Sequence, residues 1–127
     1  MVPTLSAIYT EYKDQVTLVG IVPFGVNDTT LRDFKKEYNI PFSLTIDSGC
    51  RLSALYNIKT VPSAIVLTQS DKIIYKGAID NSFRAVGNTE YGKTKEYLRN
   101  AIKEALLLQS ITLSHTEPVG CLIHCDL

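Results

Sequence analysis

Thr60-Val61-Pro62-Ser63-Ala64-Ile65-Val66-Leu67 is the stretch whose reading decides the fold. The apolar run is too short for a comfortable helix and carries β-branched Ile65 and Val66, so it reads as a strand ending at Leu67. Pro62 has no N–H for a ladder, which suits the mouth of a strand and not its middle. An X-Pro bond there is also where a cis peptide is accommodated. Such a turn leaves neighbouring backbone groups able to pair with a segment docked beside it. The stretch itself offers no obvious reactive side chain.

Downstream, Gln69-Ser70-Asp71-Lys72 reads as a hairpin connection, with Ile73 to Ile79 returning antiparallel. Asp80 to Tyr91 is a polar excursion. Thr94 to Leu108 is the clearest helix, with Tyr97, Leu98, Ala101, Ile102, Ala105 and Leu106 on one face.

Upstream, a short helix from Cys50 to Tyr56 is expected to bury Leu52, Leu55 and Tyr56, capped by Asp47 or Ser48. Phe42 to Ile46 reads as a strand. Before it comes a helix capped by Thr29 or Thr30, with Leu31, Phe34 and Tyr38 as its buried stripe and Arg32, Lys35 and Lys36 on the wet face. Pro23 to Thr30 is a loop. Val16 to Val22 is apolar on both alternations, as a strand covered on two faces would be. Pro3 to Lys13 is helical, with Leu5, Ile8, Tyr9 and Tyr12 at helical spacing. Alternating strands and helices followed by a hairpin imply a mixed sheet flanked by helices, an α/β fold. Residues 1–108 make one domain and 109–127 a C-terminal tail, ending Cys-Leu-Ile-His-Cys-Asp-Leu.

The 127 residues suit a single domain. Thirteen basic residues balance thirteen acidic ones, which argues against a nucleic-acid or anionic-membrane footprint. No apolar run approaches a membrane span. Met1-Val2-Pro3-Thr4 lacks the basic and apolar regions of a signal peptide, so none is expected here, and the compartment stays open. Cys50, Cys121 and Cys125 are an odd number without a spaced framework, so no disulfide-stapled fold is expected.

The element order and the Thr60-Val61-Pro62 turn resemble the thioredoxin-like superfamily. VPTLSAIYTEYKDQVTLVGI (2–21) looks like the latter part of that family's first active-site helix and its next strand. FSLTIDSGCRLSALYNIKTVPSAIVL (42–67) looks like its strand, helix and cis-proline turn, and DKIIYKGAIDNSF (71–83) like its hairpin return. TEPVGCLIHC (116–125) resembles a glycine-cysteine tail of some exported redoxin-like proteins. The match is nearest to the redoxin branch, the alkyl hydroperoxide reductase/thiol-specific antioxidant type.

That resemblance implies thiol–disulfide or peroxide-reducing chemistry, with a thiol/disulfide protein or a peroxide as substrate. It implies no cofactor, and a parent that is exported. The family's central strand and its C-x-x-C or single peroxidatic cysteine would precede Met1, and nothing in these residues replaces them. The chemistry needs a thiolate that attacks a disulfide or peroxide. The expectation is therefore a scaffold inactive as this chain; the alternative is a redox-inactive module binding an extended peptide. The missing strand would lie between the counterparts of Val16–Val22 and Thr60–Leu67. Unpaired backbone groups there would cost about 1–3 kcal/mol each if dry. The slot is expected to be filled by the Cys121–Leu127 tail or by a partner chain, for instance in a homodimer made by segment exchange.

Among candidate site residues, Cys50 sits where a helix begins and can be activated by its dipole. It equally reads as a small helix-start residue without chemistry. Cys121 and Cys125 offer a dithiol: their Cα atoms would lie about 13 Å apart in a strand, too far to bridge, and about 6 Å apart in a helical turn. The resemblance makes Cys121 the family-like position, able to resolve an intermediate, and makes Thr60, Val61 and Pro62 the substrate-docking edge. Cys121, His124 and Cys125, with Cys50 or His115, match no common paired-ligand spacing, and no metal is expected. Asp80 reads as a strand-end cap more than a site acid. Tyr9, Tyr12, Tyr38, Tyr56 and Tyr97 fall on helix faces and read as core.

Overall fold

The computed structural model describes residues 2–22, 27–81 and 95–123. Its elements run α1 (Val2–Tyr12), β1 (Val19–Val22), α2 (Asp28–Glu37), β2 (Ser43–Ile46), a 3-10 turn (Ser48–Cys50), α3 (Arg51–Leu55), β3 (Thr60–Val61), β4 (Ala64–Leu67), β5 (Ile73–Gly77), α4 (Tyr97–Leu106) and β6 (Cys121–Leu122). The chain divides into two compact units, one up to Asn57 and one spanning Ile58–Ile123.

In the first unit β1 and β2 pair in parallel, from Val19 opposite Ser43 to Val22 opposite Ile46. A parallel pair needs a crossover, and α2 supplies it, packing on β2. Ile8, Ile40 and Phe42 are buried, and the Tyr9 and Phe42 rings meet at a centroid distance of 6.2 Å. The cap of α2 is Asn27, whose side-chain oxygen accepts from the Thr30 N–H at 2.8 Å, and not Thr29 or Thr30. Asp28 in the first turn and Lys35 and Lys36 in the last suit the helix dipole.

Three burial expectations are overturned here. β1 is not covered on both faces: Val19 and Ile21 are 46 % and 45 % exposed. The stripe of α2 is not buried either, since Phe34 and Tyr38 are exposed and pack mainly on each other, ring centroids 4.8 Å apart. Leu55 on α3 is 70 % exposed rather than core. These elements have apolar sides larger than the surface that covers them.

In the second unit the expected Thr60–Leu67 strand is two strands. The Val61–Pro62 peptide is cis, and Pro62 and Ser63 separate β3 from β4. Pro62 cannot donate to a ladder, so pairing stops there and restarts with a different partner. β4 pairs antiparallel with β5, from Ala64 opposite Gly77 to Leu67 opposite Ile73, with a register shift between Val66 and Leu67. The hairpin closes through Thr68, whose N–H donates to the Lys72 carbonyl and whose hydroxyl accepts from the Lys72 N–H. α4 packs on β4 and buries Leu98, Ala101 and Ile102. Its start is tied to the end of β5 by Leu98 N–H donating to the Ile79 carbonyl at 3.0 Å. Asp80 is buried beside that junction rather than on a surface loop; most of the Asp80–Tyr91 excursion lies outside the described residues.

The described part of the tail, to Ile123, is ordered by strand pairing. It first runs parallel along β5: Lys76 N–H donates to the Ser114 carbonyl and Thr116 N–H to the Lys76 carbonyl. It then reaches β3. The described tail residues thus add strand pairing beside Lys76 and Thr60–Val61, not along β4. None of the described helices is long and apolar enough to cross a membrane.

Candidate functional site

The Pro62 turn is built from backbone. Ser63 Oγ donates to the Thr60 carbonyl, fixing the bend, and the two half-buried residues of β3 precede it. Opposite them lies β6, antiparallel, with Val61 against Cys121 and Thr60 against Leu122. Ile123 N–H extends the ladder by donating to the Lys59 carbonyl at 2.8 Å. Gly120 precedes this pair. A Cβ at Gly120 would run into the Val61 carbonyl and against the Pro62 ring, so the approach requires a residue without one.

The structure therefore brings Thr60, Val61, Pro62 and Cys121 together. Cys121 is a free, exposed thiol. Cys50 lies in the other unit, buried at the start of α3. Its sulfur is in a disulfide. Spacing carried no sign of it, because a disulfide links residues that only folding brings together. His124 and Cys125 lie outside the described residues, and among those described no three His, Cys, Asp or Glu side chains cluster as metal ligands.

Around Cys50 the backbone is held by Asp47. Gly49 and Cys50 both have positive φ, 66° and 55°, a kink between the 3-10 turn and α3. Asp47 is buried and spans that kink: its carboxylate accepts from Leu52 N–H, Ser53 N–H and Ser53 Oγ at 2.7–2.9 Å. Burial opposes its charge, but these hydrogen bonds, with one from the Arg51 backbone, outweigh it and hold the carboxyl below its ordinary value.

The tail is anchored by a second polar knot. Tyr75 is fully buried, and its hydroxyl donates to the Ala78 carbonyl. Ala78 N–H donates to Thr116 Oγ1 at 2.8 Å, and Thr116 Oγ1 in turn contacts the Tyr75 hydroxyl at 2.6 Å. The three bonds close a ring. Burial pushes the Tyr75 phenol above its ordinary value, a nearby Tyr97 adds to this, and the Thr116 hydrogen bond works against it. Reading tyrosines by helix face missed Tyr75; its inward place in the Ile73–Gly77 alternation was the available signal. The helix-face tyrosines are partly covered or, at Tyr38, exposed.

No family model matches the chain. It is 20 % identical over 74 residues to the thiol-disulfide oxidoreductase ResA of a Bacillus cereus strain, covering 58 % of this chain and 43 % of that protein. It is 26 % identical over 72 residues to the protein of the same name from Halalkalibacterium halodurans, covering 57 % of this chain and 41 % of that one. The chain thus spans less than half the length of these relatives.

Among solved structures, an uncharacterized conserved protein from Geobacillus kaustophilus superposes with a TM-score of 0.81 at 19 % identity, over 96 % of this chain and 67 % of that one. A hypothetical protein from Sinorhizobium meliloti 1021 gives 0.74 at 19 % identity, over 94 % and 67 %. At such identity the likeness speaks for the fold alone. The fold is thioredoxin-like. With the weak similarity to thiol-disulfide oxidoreductases, it supports a place in the thioredoxin-like superfamily.

Proposed function

We propose that the chain is a redox scaffold of thiol-disulfide oxidoreductase type, in which the Lys59–Pro62 edge holds an extended segment and Cys121 is the thiol presented beside it. The observation that carries this reading is the pairing of Cys121 with Val61, one residue ahead of Pro62. The similarity to ResA proteins supports it. The chain contains no C-x-x-C, so a nucleophilic cysteine pair from outside these residues would complete the chemistry. Cys50 enters only after its disulfide is reduced by an external thiol, which would free a second sulfur. A peroxide as substrate, within the redoxin branch, is the narrower form of the same proposal.

The second reading is a redox-inactive module that binds an extended peptide. The backbone edge favours it, because that edge already accepts an extended segment.

Insulin-disulfide and hydroperoxide reduction by the purified chain, with and without Cys121→Ser, separates the readings. The expected result is stoichiometric mixed-disulfide formation at Cys121 without multiple turnover. Sustained turnover by these residues alone overturns the scaffold reading. Failure of Cys121 to form any mixed disulfide leaves the peptide-binding module.

A further inference from the structure

The chain has three cysteines. Cys50 is in a disulfide and Cys121 is free, so within a single chain the only sulfur left for Cys50 is that of Cys125. The sulfurs differ in access. Cys50 is 4 % exposed, at the kink before α3, whereas Cys121 is exposed on β6, across from Val61. A disulfide on another protein is therefore open to attack by Cys121 and closed to Cys50, because exchange requires access. Cys121 also stands four residues before Cys125. A free thiol that close along the chain meets the neighbouring sulfur at high effective concentration, and it would scramble a staple that served only to hold the fold. Along a strand the two Cα atoms would lie about 13 Å apart, roughly twice the reach of a disulfide, so a bond between them needs the chain to bend. The structure keeps Cys121, a strand residue, out of any bond.

We infer that Cys50 and Cys125 are bonded to each other and that, once this bond is reduced, the three cysteines form a relay that reduces a disulfide on another protein. An external dithiol opens the bond and leaves Cys50 and Cys125 as thiols. The Cys121 thiolate then attacks the substrate disulfide; a Cys121–substrate bond forms, and the first substrate sulfur leaves as a thiolate and takes up a proton. The Cys125 thiolate attacks the Cys121 sulfur, so that a Cys121–Cys125 bond forms and the second substrate sulfur leaves. The Cys50 thiolate attacks the Cys125 sulfur, the Cys50–Cys125 bond forms, and Cys121 leaves as a free thiolate. The substrate has gained two electrons, Cys50 and Cys125 have lost them, and Cys121 is unchanged. The end state is the one observed, with Cys50 bonded and Cys121 free. This inference rests on the reading of Cys121 as the thiol that meets the substrate and adds the sulfurs that resolve it. In the unreduced chain Cys50 and Cys125 are engaged, and a mixed disulfide at Cys121 has nothing to resolve it, which accords with the stoichiometric adduct expected of the purified chain.

The test uses the full chain as wild type, Cys121→Ser, Cys125→Ser and Cys50→Ser. The pairing is read first: unreduced wild type is alkylated, digested without reduction and fragmented in a mass spectrometer. The expected product is Cys50 linked to Cys125, with the alkyl group on Cys121; any other linkage overturns the inference. The chains are then reduced with dithiothreitol, freed of it, mixed with oxidised glutathione and quenched in acid over time. Wild type shows glutathione on Cys121 first and the Cys50–Cys125 bond last, both glutathiones being released. Cys125→Ser stops with glutathione on Cys121, and Cys50→Ser stops at the Cys121–Cys125 bond. Cys121→Ser is oxidised about tenfold or more slowly than wild type. A glutathione adduct that persists on Cys121 of reduced wild type overturns the relay and leaves Cys121 standing as the presented thiol. No adduct at Cys121 in wild type or in Cys125→Ser overturns the relay and that reading together. Oxidation of Cys121→Ser as fast as wild type overturns Cys121 as the point of entry. Should a serine variant fail to fold, the order in which the species appear in wild type decides.

Discussion

Cys121 lies directly across an antiparallel pair from Val61, whose own peptide bond leads into Pro62. The thiol is exposed and free, while Cys50 is held in a disulfide. Titration of the unreduced native chain with a thiol reagent should therefore detect Cys121, and Cys121→Ser should lose that signal. Prior reduction should raise the titre. A Cys121→Ser chain that titrates like wild type before reduction would contradict this arrangement.

Asp47 bridges the kink before α3, so Asp47→Asn, which keeps one acceptor oxygen, should destabilise the chain by about 1–2 kcal/mol at neutral pH. The sign with pH follows from its carboxyl lying below the ordinary 3.8 when folded. The unfolded chain then binds the proton more readily, so the stabilisation is complete above that value and is lost as the pH falls through the folded one. Urea unfolding at neutral pH and near pH 3 should show the gap between wild type and variant closing in acid.

The Tyr75, Ala78 and Thr116 ring makes two substitutions interdependent. Tyr75→Phe and Thr116→Val should each cost about 1–3 kcal/mol, because each strands a buried polar partner. The double variant should cost less than their sum. Tyr75 ionises above its ordinary 10.0 when folded. Its contribution is thus fully present below that value and lost as pH rises through the folded one, so the stability gap between wild type and Tyr75→Phe should narrow in alkali. Denaturant unfolding across a pH series measures both.

Burial, not residue type, should decide the cost of truncating leucines. Leu98 lies on the buried side of α4, and Leu98→Ala should cost about 2–5 kcal/mol. Leu55 is mostly in water, and Leu55→Ala should stay within about 0.5 kcal/mol. Thermal melts of the two variants distinguish them directly.

Asn27→Ala should weaken α2 by about 0.5–2 kcal/mol, through loss of the bond from the Thr30 N–H. Thr29→Ala should be milder, since Thr29 does not cap the helix. Chemical-denaturation midpoints of the pair check the assignment.

The order of elements was legible because apolar spacing and turn residues carry it: the β4–β5 hairpin and α4 fall inside the stretches so marked, while α1 begins one residue before its stretch and α2 begins inside the expected Pro23–Thr30 loop. Burial was less legible. Periodicity shows which side of a helix is apolar, but not how much covering surface exists, and Phe34, Tyr38 and Leu55 lie where cover runs short. The break at Pro62 was half legible: the missing N–H was plain, but the change of ladder partner depended on where the tail goes. That path rests on a hydroxyl at Thr116 and an absent Cβ at Gly120, neither of which produces a periodic signal. The Cys50 disulfide was hidden for a related reason, since sequence distance says nothing about which sulfurs folding will bring together.

The pinning of Thr116 also sets a length rule. Glu117, Pro118 and Val119 form a three-residue spacer between the buried ring and Gly120, where a Cβ would strike the Val61 carbonyl. Shortening it by one residue would bring Cys121 to the Val61 carbonyl, and lengthening it by one would bring Val119; neither fits. The chemistry of the spacer is free to drift, but its residue count is not.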